Sequence, residues 1–337
     1  MITGASQADA AVLVCSAKEG VQAQTKEHAF LAKVLGVSQM IVAINKMDAV
    51  NYDHVKFDET KMAMSTLLKN IGYKVENIPF VPISGYAGTN IKNKATDLMP
   101  WYSGPTLLGH LESVHIGSDW NLSGFRLPVQ WVNRPHNPTD PQLHDFRGFS
   151  GQIAGGIVRV GQKVMVLPSG QVSRVKQIWT YDGPLNEAFC PQSITLVLED
   201  DIDISRGDMI IGPDSLPGAS TDLGAEVCWM HPRSLQRGRK YFLKHTTQTV
   251  QAVVTAVEDR IDMTTLEPEP DTTELALNDI GEVRLHTSAP LVFDGYATNR
   301  LTGSFILIEP GTNATVGAGM LLPPTAVVKP EYNDFAI

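Results

Sequence analysis

The pattern of the sequence changes near residue 120, and this change constrains the fold more than any other feature. Before it, two continuous apolar runs, AAVLVC (10–15) and MIVAIN (40–45), are typical of parallel strands buried on both faces. A third run, IPFVPIS (78–84), is a weaker strand because its prolines disfavour a central position in a sheet. After residue 122 the chain consists of short alternating runs separated by Gly, Pro, Asn and Asp, which is typical of antiparallel barrels or sandwiches.

The sequence therefore predicts an α/β domain followed by two all-β barrel domains. With 337 residues, of which 43% are hydrophobic, the chain is long enough for two or three separate cores. A Pro/Gly/Ser-rich break, SLPGASTDLG (215–224), separates the two predicted barrels. The predicted boundaries are an α/β domain over 1–118, barrels over 122–216 and 222–322, and a tail over 323–337.

An amphipathic helix is predicted between the first two strands. Phe30, Leu31, Val34 and Leu35 recur at helical spacing, and Gly36 is placed to end the helix. Strands that alternate with helices of this kind form open parallel sheets.

Charge and cysteine content exclude several classes of protein. The net charge is −9, which gives no global electrostatic reason to bind nucleic acid or an anionic membrane. The sequence contains no run of 18 apolar residues and no basic secretory leader, so we expect no membrane partner. Its three cysteines are far apart and the histidines lack metal-site spacing, which favours a reducing cytoplasm and predicts no metal site.

A polar motif of the form Asn-Lys-x-Asp follows the second predicted strand directly. Its residues are Asn45, Lys46, Met47 and Asp48. Ser84 and Gly85 follow the third strand, and loops at the carboxyl ends of parallel strands converge on one ligand. The other interpretation of the motif is a polar capping turn, in which Asn and Asp are common.

The chemistry of these residues suits guanine. The Asp48 carboxylate can accept hydrogen bonds from the ring N1–H and the exocyclic amine, an arrangement that adenine does not present. We expect Lys46 to lay its alkyl stem along the base and Asn45 to tie the loop to its neighbours. The backbone of Ser84 and Gly85 is placed to meet the guanine oxygen.

The sequence lacks the residues that would bind the phosphates of a nucleotide. No G-x-x-x-x-G-K-[ST] string is present, and the nearest string, GGIVRVGQKV (155–164), lies among predicted strands. No Asp-x-x-Gly precedes the strand at 10–15. We therefore expect weak GTP binding and no GTP hydrolysis from these residues alone, and the catalytic residues are unknown.

Two further segments have a plain and a functional interpretation. The basic stretch RSLQRGRKYFLKH (233–245) is a possible anion or RNA contact, but a solvated hairpin is favoured in so acidic a chain. The stretch HNPTDPQLHD (136–145) is predicted to be an ordered surface loop or a partner contact.

Nearly the whole chain resembles one branch of the elongation-factor-like translational GTPases. That branch is the large, GTP-hydrolysing subunit of bacterial sulfate adenylyltransferase. The segments that carry the resemblance are MITGASQADAAVLV (1–14), GVQAQTKEHAFLAKVLGV (20–37), IVAINKMDAV (41–50), MPWYSGPTLLGHLE (99–112), FRLPVQWVNRP (125–135), DFRGFSGQIAGGIVRVGQKVMVLPSG (145–170), LEDDIDISRGDMI (198–210) and YATNRLTGSFILIEPGTNATVGAGML (296–321).

The resemblance implies a partial P-loop GTPase domain with GTP as cofactor, and Mg²⁺ in the full-length protein. It implies that Asn45, Lys46, Asp48 and Ser84 bind guanine, while Gly85 departs from the alanine that many relatives carry. The implied partner is a small subunit that joins ATP and sulfate into adenosine 5′-phosphosulfate and pyrophosphate, a reaction driven by GTP hydrolysis. Met1 resembles an internal methionine, so we expect an N-terminally truncated chain.

Two other functions remain as alternatives. A translational GTPase that delivers aminoacyl-tRNA would share the guanine motif, although the acidic balance and the 136–145 segment argue against it. A non-catalytic β-barrel module that only binds a partner is the other alternative. Retention of tRNA or of the small subunit would distinguish these functions.

Overall fold

The computed structural model describes residues 2–5, 8–37, 39–114, 121–135, 146–262, 265–270 and 272–325. The chain divides into two compact units. The first contains residues 1–119 with the short segment 262–267, and the second contains residues 120–261 and 268–337. The predicted segment 136–145 and most of the predicted tail lie outside the described residues. Among the described residues, no helix is long and apolar enough to cross a membrane.

The first unit is built on a parallel sheet. Its strands are β1 (Ala10–Ser16), β2 (Gln39–Asn45) and β3 (Phe80–Pro82), in that spatial order. β2 lies in the middle, and its residues 40–44 are all buried, which explains the continuous apolar run. β3 carries its proline at the edge of the described sheet, where the missing N–H costs no ladder bond. All three predicted strands are present, but the prediction that β1 is buried on both faces is wrong, because Val12 and Val14 on one face are exposed.

The described part of this unit also contains four α-helices. They are α1 (Ile2–Ala5), α2 (Ala23–Val34), α3 (His54–Asn70) and α4 (Leu107–Ser113). The predicted apolar face of α2 is partly wrong, because Phe30, Leu31 and Val34 are only half-buried while Ala29 and Ala32 are buried. Small side chains let the helix lie close to the sheet, and the larger ones flank the contact.

The second unit contains two β structures. The strands between residues 126 and 211 are β4 (Arg126–Pro128), β5 (Trp131–Asn133), β6 (Gly148–Gln152), β7 (Ile157–Arg159), β8 (Lys163–Leu167), β9 (Val172–Thr180), β10 (Gly183–Leu185), β11 (Glu187–Phe189), β12 (Ser193–Leu198) and β13 (Met209–Ile211). Within the described part of this region, eight strands form a sheet in the order β4-β13-β8-β9-β12-β6-β5, with β10 paired to β9. β7 and β11 form a separate pair.

Ten strands are described from residue 218 onwards, and six of them form a closed barrel. The ten strands are β14 (Gly218–Trp229), β15 (Leu235–Gln236), β16 (Lys240–His245), β17 (Gln248–Val257), β18 (Asp259–Asp262), β19 (Glu267–Pro270), β20 (Glu274–Leu275), β21 (Ile280–Phe293), β22 (Ser304–Ile308) and β23 (Thr315–Leu321). Over the described residues the barrel closes in the order β14-β21-β17-β16-β22-β23. Buried apolar side chains from all six of these strands fill its interior.

The predicted break over 215–224 is shorter in the structure, because β14 begins at Gly218. The composition of this stretch reflects a bulge rather than a linker. The register of β14 against β21 shifts between Ser220 and Asp222, and the Ser220 hydroxyl donates to the Asp222 carbonyl at 2.8 Å. The domain boundaries given above remain a prediction.

A buried polar cluster joins the sheet to the barrel. Arg126 on β4 donates from Nε and Nη2 to the two carboxylate oxygens of Asp294, at 3.0 and 2.9 Å. Its Nη1 donates to the Ser215 carbonyl at 2.7 Å, and the Thr302 hydroxyl donates to Asp294 Oδ2 at 2.7 Å. The Thr302 carbonyl lies 2.7 Å from Nε2 of buried His245, which therefore carries its proton on Nε2. Each charge in the cluster is paired, as burial requires.

Burial of His245 predicts a loss of stability in mild acid. Desolvation lowers the pKa of this histidine below 6.5, so the unfolded chain binds its proton more readily than the folded one. Above pH 6.5 the histidine is neutral in both states and does not lower the free energy of unfolding. As the pH drops below that value, the free energy of unfolding falls by up to about 1.4 kcal/mol per pH unit. We expect His245→Gln, whose amide also donates to Thr302, to flatten this dependence in urea unfolding between about pH 7.5 and 5.5. Parallel curves for the two proteins would contradict the prediction.

Candidate functional site

The loops that follow β2 and β3 lie together at one edge of the sheet, and Asn45 joins them. Asn45 is the last residue of β2, and its side-chain oxygen accepts from the Lys46 N–H at 2.7 Å and the Gly85 N–H at 2.9 Å. The predicted role of Asn45 in tying the loop to its neighbours matches this arrangement. Because both strands are parallel, their carboxyl ends meet at this edge.

Lys46 forms an ion pair with an acidic neighbour, Glu19. Its backbone has a left-handed conformation with φ of 63°, and its Nζ lies 3.0 Å from both carboxylate oxygens of Glu19. A hydrogen bond from Ser16 and the ammonium group of Lys46 lower the pKa of the Glu19 carboxyl. Glu19 was not among the site residues predicted from the sequence. The available signal was an acidic residue three positions after β1, at the same edge of the sheet.

Asp48 presents a carboxylate with free acceptor positions. It lies in a short 3₁₀ turn, Met47–Val50, and is partly exposed. Among the residues that the structure describes, its carboxylate has no hydrogen-bond or ion-pair partner, so both oxygens are available to a ligand. The side chain of Met47 is fully buried in the core of the unit. Any contact of Met47 with a ligand would therefore come from its backbone.

Ser84 shapes the second loop from inside. It is fully buried and exchanges two backbone hydrogen bonds with Thr89, at 3.2 and 3.1 Å, while its hydroxyl accepts from the Ala87 N–H. The N–H of Ser84 is therefore occupied, and a guanine oxygen would have to share the N–H of Gly85 with Asn45. A Cβ at Gly85 would meet the Asn45 amide at 3.4 Å, an ordinary contact, so an alanine fits there.

The predicted site is only partly concave. A cavity of about 610 Å³ borders Ser16, Glu19, Asn45 and Lys46, but Asp48 and Gly85 do not line it. The residues together offer carboxylate acceptors, one backbone donor and an alkyl stem, which fits the edge and face of guanine. Across the described residues, no group of three or more His, Cys, Asp or Glu side chains is placed to hold a metal ion.

The bond between the two loops can be tested directly. Replacing Asn45 with alanine removes the acceptor of the Gly85 N–H, and we expect the exchange of this amide with solvent to accelerate by roughly three- to tenfold. Amide hydrogen exchange measured by NMR would report it. Asn45→Asp keeps an acceptor oxygen and is the matched control. Equal exchange in the alanine variant and the wild type would show that the loops are held together by other contacts.

Two parts of the chain match known protein families. Residues 1–137 match a family described as the elongation factor Tu GTP binding domain, and residues 222–322 match one described as GTP-eEF1A C-terminal domain-like. The first match covers both loops of the candidate site. The chain therefore contains a GTP-binding domain followed by β-rich domains, which confirms the predicted fold class.

Curated relatives identify the branch. Sulfate adenylyltransferase subunit 1 of Teredinibacter turnerae is 43% identical over 340 residues, an alignment that covers all of this chain and 70% of the relative. The chain belongs to the sulfate adenylyltransferase subunit 1 family. The resemblance found in the sequence is confirmed.

Longer relatives also match this chain, and a solved structure shares its fold. The bifunctional enzyme CysN/CysC of Rhodopirellula baltica is 45% identical over 96% of this chain, which spans 48% of that protein. The corresponding enzyme of Mycobacterium tuberculosis is 42% identical over 99% of the chain and 53% of the relative. This member of the subunit 1 family thus spans about half the length of its bifunctional relatives. A crystal structure of sup35 complexed with GMPPNP matches with a TM-score of 0.55 and 23% identity, over 96% of this chain and 80% of that one, and supports the fold alone.

Proposed function

We propose that this chain is the guanine-nucleotide-binding subunit of a sulfate adenylyltransferase. In the proposed reaction a small partner subunit joins ATP and sulfate into adenosine 5′-phosphosulfate and pyrophosphate. In this proposal, hydrolysis of GTP by the guanine-nucleotide-binding subunit drives the energetically uphill synthesis. The proposal extends the names of the relatives, sulfate adenylyltransferase subunit 1, to this chain.

The observation that carries the nucleotide half of the proposal is the bond between Asn45 and the Gly85 N–H at 2.9 Å. It holds the two loops together and leaves the Asp48 carboxylate free beside them. A carboxylate in this position binds a base that presents two adjacent donors, as guanine does. With adenine, the carboxylate oxygens would be left without hydrogen-bond donors. The proposed contacts are Asn45, Lys46, Asp48 and Gly85, with Ser84 as the residue that shapes the loop.

The residues of this chain do not fit Mg²⁺. The described part holds no group of three or more His, Cys, Asp or Glu side chains placed for a metal ion, and the sequence has no P-loop string. When bound, GTP would supply the phosphoanhydride whose hydrolysis drives the synthesis. The chain's own residues bind and select the base, and we derive no phosphate step from them.

Co-purification tests the proposed assembly. We expect the tagged chain to retain the small ATP- and sulfate-using subunit and no tRNA, and the reconstituted enzyme to make adenylylsulfate faster with GTP than without it. Retention of tRNA with no effect of GTP on adenylylsulfate synthesis would favour a translational GTPase instead. A chain that retains neither would point to the interaction module.

A further inference from the structure

The outer face of the eight-stranded sheet carries two tryptophans, of which Trp131 is exposed and Trp179 is half-buried. Residues that lie directly opposite one another across β5, β6, β12 and β9 are Trp131, Ser150, Thr195 and Trp179. The two tryptophans are three strand spacings apart, about 14 Å. Small hydroxyl side chains lie between them, and Ser150 Oγ is 2.8 Å from Thr195 Oγ1. The row forms a shallow trough with aromatic walls and a polar floor, here called the aromatic trough.

Folding does not explain the exposure of Trp131 and Tyr181. The core of the sheet is formed by the opposite face, where Phe149, Ile178 and Leu196 are buried. Trp131 is 65% exposed, and Tyr181, just beyond the end of β9, is fully exposed. A large aromatic side chain on the solvent face adds little to stability, so contact with another molecule is the plainer explanation.

Among the residues that the structure describes, none that lines the trough is charged. A concavity of about 530 Å³ is lined by aromatic, hydroxyl and amide side chains, together with Gly151 and Ile194. Charge depletion with enrichment in Trp and Tyr is the composition of the centre of protein–protein interfaces. Single-stranded nucleic acid also stacks on aromatic side chains, but its sites require Lys or Arg along the backbone, and none lines the trough.

The two tryptophans of the trough differ in whether their indole N–H groups are already hydrogen-bonded. Trp179 is held in place, since its indole N–H donates to Gln177 Oε1 at 3.0 Å and its ring meets Phe146 edge-on at 6.4 Å. The indole N–H of Trp131 has no partner in the described part of the chain and is free to donate to a carbonyl. An apolar face with one free donor fits a neutral polypeptide surface that presents backbone carbonyls.

We propose that the aromatic trough is the docking surface for the small ATP- and sulfate-using subunit, which contributes a neutral, apolar segment to it. This inference rests on the proposed function for the identity of the occupant. The absence of charge on the trough argues for an uncharged segment, because a charged one would lose its hydration without gaining a partner.

Binding of the purified small subunit to the 337-residue chain, measured by biolayer interferometry, tests the proposal. We expect Trp131→Ser and Tyr181→Ser each to raise Kd at least about thirtyfold, as for central interface residues. The matched control is Leu277→Ser, which removes an exposed apolar side chain outside the trough, 46% exposed, and should leave Kd within about twofold. Circular dichroism melts should show that all variants remain folded.

The outcomes separate the docking surface from the proposed function. If the wild type binds the small subunit and the two trough variants bind it equally well, the docking surface is wrong and the function stands. If the wild-type chain does not bind the small subunit, both are overturned. If the trough variants instead lose binding of a single-stranded RNA 20-mer, or lose self-association in sedimentation, the trough has another occupant and the proposal is again overturned.

Discussion

Replacing Arg126 with methionine is expected to lower the free energy of unfolding of the second unit by about 3–5 kcal/mol. The side chains of Arg126 and Asp294 are only 4% and 12% exposed, so the pair is shielded from water. Methionine would leave the Asp294 carboxylate with the Thr302 hydroxyl and no cation. The Ser215 carbonyl would also lose its 2.7 Å donor. A buried charge without a partner costs far more than the pair itself contributes.

Guanidinium unfolding followed by tryptophan fluorescence would measure this loss. Arg159→Met is the control, because Arg159 and its partner Glu187 are 63% and 45% exposed and their ion pair should contribute less than about 1 kcal/mol. The double variant Arg126→Met/Asp294→Leu removes both charges, and we expect it to recover part of the lost stability. A loss below about 1 kcal/mol for Arg126→Met would mean that water solvates Asp294 in its place.

This cluster shows what the sequence did not predict. Arg126 and Asp294 are 168 residues apart, and no spacing in the sequence links them. Their pairing depends on how the sheet meets the barrel, which no local pattern encodes. The strands themselves were predictable, because alternation or continuous apolar character records how each strand is buried. The face of α2 was harder to predict, since Ala29 and Ala32 are too small to dominate an apolar stripe.

The candidate site also has features that the sequence predicts and features that it does not. The meeting of Asn45 with Gly85 was predictable, because parallel strands bring their carboxyl ends to one edge. The burial of Met47 was missed because a contiguous motif does not show which of its side chains turns inward. Glu19 was missed because an isolated carboxylate has no sequence signature until its contact with Lys46 is seen.

Replacing Asp48 with asparagine is expected to reverse the base preference of the site. Guanine presents two donors to the carboxylate, and asparagine offers one acceptor and one donor in its place. We expect the affinity for GDP to fall about a hundredfold, which corresponds to the loss of charge-assisted hydrogen bonds worth about 3 kcal/mol. Xanthine carries a carbonyl where guanine carries its amine, so XDP should gain affinity from the asparagine N–H.

Titrations of the wild type and the variant with GDP and XDP, followed by NMR, would measure the ratio of the two affinities. The ratio is the informative quantity, because the chain has no P-loop string and the phosphates contribute equally to both ligands. Asp97→Asn changes an exposed carboxylate of the same unit and serves as the control. Equal losses for GDP and XDP in the Asp48 variant would mean that this carboxylate supports the loop without reading the base. A reversed ratio would assign base selection to Asp48, because only a group that contacts the differing edge of the base distinguishes the two ligands.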